Sequence, residues 1–131
     1  MHKFPALFSP ISLRGHEIRN RVLSTGHQTW LARANLPSDD MIAYHEARAR
    51  GGTGLIIVES ARFHESSFTD APDLHIHIDD AIPAFRALAQ AVHRHGAQVF
   101  GQLSHAGRLS RRMKGGLRGV AYAPSAVADN R

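Results

Sequence analysis

The side chains of this sequence that could do chemistry sit in three short polar stretches. Ser24-Thr25-Gly26-His27-Gln28-Thr29 carries hydroxyls, an imidazole and a carboxamide. Glu59-Ser60 places a carboxylate beside a hydroxyl, and Gln102-Leu103-Ser104-His105-Ala106-Gly107-Arg108 adds an amide, an imidazole and a guanidinium. Such sets suit hydrogen bonding and proton transfer. Thiol chemistry is excluded for this chain: it has no cysteine, hence no disulfide, thiolate metal site or iron–sulfur ligation. Ten histidines raise the question of metal, and His75-x-His77 and His93-x-His95 are the tightest spacings. Positions two apart on a helix face different ways, which disqualifies the second pair. The first has no cysteine and no clear third ligand with it, so no metal site is expected.

Each polar stretch directly follows a segment that reads as a strand. Arg21 to Ser24 is short, with Val22 and Leu23 at its centre. Gly54 to Glu59 is an apolar run without alternation, the pattern of a parallel strand buried on both faces. Ala97 to Leu103 is the third. Between them lie two helices. The first spans about Asp39 to Arg50, announced by Pro37, capping residues and two acids, with Ile42, His45 and Ala49 on one face and Gly51-Gly52 as its stop. The second spans about Asp80 to His95, with Asp79-Asp80 as its cap, Ile82, Phe85, Leu88, Ala89 and Val92 at helical spacing, and Gly96 as its stop. Ser60 to His77 reads as a long loop, and Phe8 to Asn20 as a hairpin turning at Arg14-Gly15.

The order hairpin, β, α, β, α, β implies a parallel sheet with right-handed crossovers. Two architectures accommodate it, a doubly wound sheet and a (β/α)8 barrel; both place their sites at strand C-terminal ends, where the polar stretches fall. No G-x-G-x-x-G follows the first strand, which weighs against the dinucleotide fold. Three strands do not close a barrel, which takes about 250 residues. On the barrel reading the sequence is therefore the N-terminal portion of one domain, with no domain boundary inside it. The third strand would then leave an open edge, so association is expected, either as a homo-oligomer or with the remainder of the barrel.

Composition narrows the partners. With 43% apolar and 21% charged residues the chain reads as globular rather than disordered. No apolar run approaches the ~20 residues of a membrane span, and Met1 to Pro10 lacks the features of a signal peptide; a cytoplasmic location is expected. Sixteen Lys+Arg against eleven Asp+Glu give +5, a charge suited to anions such as phosphorylated cofactors or CoA-like substrates. The basic residues are scattered and lack aromatic interleaving, so no nucleic acid is expected. The one dense stretch, Arg108 to Arg118, holds five basic residues among glycines and reads either as a solvated loop or as a phosphate-facing one.

Four motifs carry a resemblance to a known family. Leu7-Phe8-Ser9-Pro10-Ile11 with Asn20-Arg21-Val22-Leu23 is the first, and Tyr44-His45-Glu46-Ala47-Arg48-Ala49-Arg50-Gly51-Gly52-Thr53-Gly54-Leu55-Ile56-Ile57 the second. Gln102 to Arg108 and Ala123-Pro124-Ser125 complete the set, which covers nearly the whole chain. In order and spacing these resemble the opening of the old yellow enzyme family. The likeness is strongest to the branch of NADH:flavin oxidoreductases, 2,4-dienoyl-CoA reductases and amine dehydrogenases or demethylases.

The resemblance implies a (β/α)8 barrel, its bottom plugged by the hairpin, with non-covalent FMN across the strand C-termini and NADH or NADPH as reductant. It implies a small-molecule substrate: an unsaturated carbonyl, a dienoyl thioester or an N-methylated amine. It places Thr25, Gly26, His27 and Gln28 along the flavin ring, the backbone of Ser60 against it, and the Gln102 amide on its pyrimidine edge. That edge offers acceptors and a donor, and a Gln amide supplies one of each. Small residues such as Gly26 and Ser60 let backbone approach the ring. Where several relatives carry a Cys or Thr, this sequence has Gln28. Trp30, His105 and Arg108 fall where a substrate pocket could form. The family's active-site His/Asn or His/His pair, proton donor and phosphate-binding strands match positions beyond Arg131, so no catalytic residue is assigned here.

Each of these residues also has a plainer structural reading. Gln102 could cap a strand edge, His27 could be a polar packing residue, and Glu59 could pair with a buried Arg. His105 and Arg108 could simply shape a loop, and Trp30 could belong to the core. A catalytically incomplete half-barrel acting as an interaction module is the alternative to an enzyme.

Overall fold

The computed structural model describes residues 3–67, 72–110 and 121–127. The hairpin comprises β1 (Ile11–Leu13) and β2 (His16–Ile18), antiparallel, with Ile11 opposite Ile18. Its two turn residues, Arg14 and Gly15, both have positive φ (45° and 85°), the backbone twist that joins two strands tightly. Next come β3 (Leu23–Ser24), α1 (Asp39–Arg50), β4 (Leu55–Arg62), β5 (Leu74–His75), α2 (Ala81–His93) and β6 (Gln98–Ser104).

The sheet is parallel. β3 and β6 flank β4, with Leu23 and Gln98 both level with Leu55. Both helices cover one face: Met41 and Ala49 of α1 and Leu88 and Val92 of α2 join Ile56, Val58 and Ala61 of β4 in a single core. Paired residues of parallel neighbours point to the same side, so Leu23, Leu55, Ile57 and Phe100 share the other face. Adjacent parallel strands in chain order with both helices on one side are the first β/α units of a (β/α)8 barrel and not a doubly wound sheet.

Several boundaries differ from the sequence expectation. β3 is only two residues long. β4 runs on through Ser60, Ala61 and Arg62, and the expected Ser60–His77 loop contains β5, which pairs in parallel with Ala61 and Arg62. β5 takes the upper part of the β4 edge whose lower part β3 uses. The short apolar signal of Leu74 does not announce a strand by itself; the vacant edge of β4 makes it one.

α1 begins as expected: Ser38 Oγ accepts from the Met41 N–H at 3.2 Å. α2 does not. Asp80 makes no side-chain cap bond and has helical φ/ψ. Backbone turns substitute, with Ala81 N–H donating to Ile78 O and Ile82 N–H to Asp79 O, each at 3.0 Å. Pro83, third in the helix, has no N–H to satisfy.

The hairpin closes the N-terminal end of the sheet. The Arg19 guanidinium donates to His95 O at 2.6 Å, Ala49 O at 2.7 Å and Thr53 O at 2.9 Å, joining the carbonyl-rich ends of both helices. Asn20 Nδ2 donates to Gly52 O at 2.8 Å. Gly54 passes so close beneath that a Cβ there would lie 2.5 Å from Asn20 Oδ1 and 2.7 Å from Asn20 O. The polar stretches are at the opposite end.

Candidate functional site

A register shift places the site. Ile57 is level with Phe100, but Ser60 is level with Gln102, so β4 gains one residue at Val58–Glu59. Such a bulge re-aims side chains at a sheet end. It sets Ser60 beside Gln102 on the face that the helices do not cover. The chain leaving β3 crosses the same spot: a Cβ on Gly26 would lie 2.5 Å from Gln102 Oε1 and 3.2 Å from Val58 O. Gly26, Ser60 and Gln102 thus converge from three strands. The Gln102 amide is exposed and forms no hydrogen bond among the described residues. It is not serving as a strand-edge cap.

The rest of the first polar stretch is tied down. His27 Nδ1 lies 2.9 Å from Thr25 O, and its Nε2 meets the Tyr44 hydroxyl on α1. With both ring nitrogens engaged, the exposed His27 side chain has no free nitrogen to offer a ligand. Gln28 Nε2 is 3.5 Å from both Pro72 O and Asp73 Oδ1, so the carboxamide leans toward the segment entering β5. Thr29 bonds Glu59 through its backbone N–H, at 2.7 Å, and through its hydroxyl.

Glu59 is 1% exposed and spends Oε2 on Thr29, while Oε1 has no partner among the described residues. Among the described residues it does not pair with an arginine. The buried arginine, Arg62, instead forms a two-pronged bridge to Asp73 Oδ2 (Nη2 2.7 Å, Nε 3.0 Å) and donates to Ser104 Oγ at 2.9 Å. The bridge joins β4, β6 and the segment entering β5.

The three candidate substrate residues scatter. Trp30 is 59% exposed with φ of 62°, so it belongs to no core, and it makes no described ring contact. His105 is held from both sides: Nδ1 accepts from Gly107 N–H at 2.9 Å and Nε2 lies 2.9 Å from Ser66 Oγ, which lies 2.8 Å from His64 Nδ1. These bonds latch the loop after β4 to the loop after β6, and Ser67 Oγ adds another by accepting from Ala106 N–H. Arg108 lines an open cleft of about 370 Å3 with Pro124 and Val127. Of the basic stretch expected to reach Arg118, only Arg108 lies within the described residues.

Electrostatics mark one further position. His45 on α1 is 1% exposed, with neither ring nitrogen partnered among the described residues. Burial first, then the charge of Arg48 and the proximity of His27, lower its pKa to about 4. Burial and His77 likewise lower His75, whose ring is 5.1 Å from that of His77; among the described residues no three potential ligands gather for a metal.

Sequence reasoning did not single out Tyr44, Arg48, Arg62 or Asp73 for the site. Tyr44 and Arg48 had a legible signal, an aromatic and a cation four apart on a helix. Arg62 and Asp73 had none, because Arg62 lies past the apolar run, in a stretch of β4 without a local strand signal.

Comparison with known proteins agrees with this geometry. Residues 6–130 match the pattern of the NADH:flavin oxidoreductase / NADH oxidase family. An NADH oxidase from Thermoanaerobacter brockii is 39% identical over 95% of this chain and 20% of its own. An N,N-dimethylglycine/sarcosine dehydrogenase from Chromohalobacter salexigens is 37% identical over 82% of this chain and 16% of its own. The chain therefore spans a fifth or less of the length of these two relatives. The old yellow enzyme of Trypanosoma cruzi superposes with a TM-score of 0.81 at 28% identity, over 97% of this chain and 36% of that one. With a (β/α)8-type sheet, three strand ends converging on Gly26, Ser60 and Gln102, and a family pattern running almost end to end, the chain belongs to the NADH:flavin oxidoreductase / NADH oxidase family.

Proposed function

We propose that this chain forms the N-terminal strands of a single FMN-binding barrel domain in an oxidoreductase that carries hydride from NADH or NADPH to an unsaturated carbonyl or dienoyl thioester. The observation that carries the reading is the close approach of Gly26 to Gln102. A backbone without a Cβ, an exposed amide with no described partner and the small residue Ser60 lie together at the strand C-termini. These residues fit the group. A flavin edge needs a paired donor and acceptor, which Gln102 supplies, and backbone close to the ring, which Gly26 and Ser60 permit. Thr25 and His27 would contribute backbone, since the His27 ring nitrogens are engaged by Thr25 and Tyr44, and Gln28 would stand beside them with its amide at Pro72 and Asp73. Bound FMN would supply the two-electron chemistry; Gln102 would hold and tune it through a charge-assisted hydrogen bond to the reduced form.

A second substrate class, an N-methylated amine, is supported by the 37% identity to the N,N-dimethylglycine/sarcosine dehydrogenase. On either reading the protein works in the cytoplasm, on the NAD(P)H pool. Among the described residues β6 pairs with β4 alone, and its other edge, with Leu103 66% exposed, is where the remainder of the barrel or a second copy would pack.

The test is FMN binding by the complete protein, followed by redox titration of wild type and Gln102→Ala. Loss of a bond worth roughly 1.5–3 kcal/mol, mostly in the reduced form, lowers the potential by some tens of millivolts, at about 30 mV per 1.4 kcal/mol. Unchanged potential together with unchanged affinity would make Gln102 a structural residue. Steady-state turnover of enones, dienoyl thioesters and N-methyl amino acids then separates the substrate classes.

A further inference from the structure

His27 stands in the segment that would line the flavin, yet its ring faces away from Gln102, into α1. Nδ1 lies 2.9 Å from the Thr25 carbonyl, and Nε2 meets the Tyr44 hydroxyl. A carbonyl oxygen only accepts, so Nδ1 carries the hydrogen. In the neutral ring Nε2 is then an acceptor, and the Tyr44 O–H must donate to it. The run of bonds has one direction, Tyr44 to His27 to Thr25.

Tyr44 is itself held. The Arg48 guanidinium carbon lies 3.4 Å from the centre of its ring, and Arg48 Nη1 donates to the Tyr44 carbonyl at 3.0 Å. The His45 ring packs edge-on at 5.2 Å. A cation over the ring draws electron density from the phenol and makes its hydroxyl a stronger donor. The Thr25 carbonyl belongs to the peptide that enters Gly26, the residue backed against Gln102. In a trans peptide the N–H points opposite to the C=O, so holding the Thr25 carbonyl toward His27 turns the Gly26 N–H away from it.

We propose that Tyr44, acting through His27, is a positioning residue for the cofactor: it selects the Nδ1–H tautomer that locks the Thr25–Gly26 peptide beside Gln102. The inference rests on the FMN reading above. Tyr44→Phe removes one oxygen and keeps the ring that Arg48 and His45 pack on. With one hydrogen bond lost and the tautomer released, the FMN dissociation constant rises about three- to tenfold. Where oxidised and reduced cofactor lose affinity unequally, each tenfold difference moves the potential by about 30 mV. His27→Asn supplies the control. Its amide N–H2 can donate to Thr25 O and has no tautomer to select. Tyr44→Phe added to His27→Asn should therefore leave FMN affinity and potential where His27→Asn alone puts them.

The measurements are FMN titration, redox potential and urea midpoint of the FMN-free complete protein. Support is a weaker, potential-shifted FMN site in Tyr44→Phe, little change in the urea midpoint, and no further effect in the double variant. Wild-type affinity and potential in Tyr44→Phe would overturn the proposal. So would an undiminished effect of Tyr44→Phe on top of His27→Asn, or a loss of urea stability with no change in potential. If the wild type takes up no FMN, the functional reading itself fails.

Discussion

His45 should make the stability of this protein fall in mild acid, and the structure sets both the window and the size. The imidazole is buried on the core face of α1, has no hydrogen-bond partner among the described residues and lies near Arg48 and His27. Folding therefore opposes its protonation, lowering its pKa from 6.5 to about 4. Above the unfolded value the ring is neutral in both states and contributes no slope. Between 6.5 and about 4 the unfolded chain binds a proton that the folded chain does not, so stability drops as pH falls through that window. Below it both states are protonated and the slope disappears.

The gap corresponds to about 3 kcal/mol at ~1.36 kcal/mol per pH unit. Solvent screening of the half-buried Arg48 charge reduces this to about 2 kcal/mol. His45→Met keeps the volume, favours helix and does not titrate. Urea midpoints of wild type and His45→Met, measured from about pH 7.5 down to about pH 4, isolate the effect, because every other group is common to both proteins. The difference between the two should widen in favour of Met by about 2 kcal/mol as pH falls. A difference that does not change with pH would refute the reasoning, since it would mean that His45 takes up its proton as readily folded as unfolded.

Three further expectations follow from the same contacts. Arg19→Met removes three charge-assisted bonds to helix-end carbonyls and should lower stability by about 3–5 kcal/mol in urea unfolding, while Arg19→Lys, which lacks the planar fork, recovers only part of it. Asp73→Asn leaves the Arg62 charge buried without its countercharge and should cost about 3–5 kcal/mol; pairing it with Arg62→Met should restore much of that loss, and a double-mutant cycle reads the coupling. Gly26→Ala puts a methyl where Gln102 Oε1 stands, at the far end of a flexible side chain, so the urea midpoint should move little while FMN affinity falls.

What the sequence made legible, and what it did not, has a physical pattern. α1 was readable to the residue, because Ser38, the acids at Asp39 and Asp40, and Gly51-Gly52 are local signals that act within one turn of where they stand. The end of β4 was not. Ser60, Ala61 and Arg62 carry no strand signal, and they are strand because β6 on one side and β5 on the other give their backbone groups partners. The same difference runs through the site. That three polar stretches would gather at strand ends followed from the alternation of strands and helices, while Gly26, Ser60 and Gln102 were singled out within them by the resemblance to the flavin family. That Ser60 stands level with Gln102 depends on one extra residue at Val58–Glu59, and no local pattern at Val58-Glu59 announces that bulge. Glu59 shows the limit most directly. Its burial invited a buried arginine as partner, and a buried arginine lies three positions on, but Asp73 already occupies that guanidinium, and Thr29 offers Glu59 two donors instead. Pairing among buried polar groups is decided by which partner the backbone delivers, so a site can be located from sequence while its hydrogen bonds are assigned only once the chain is folded.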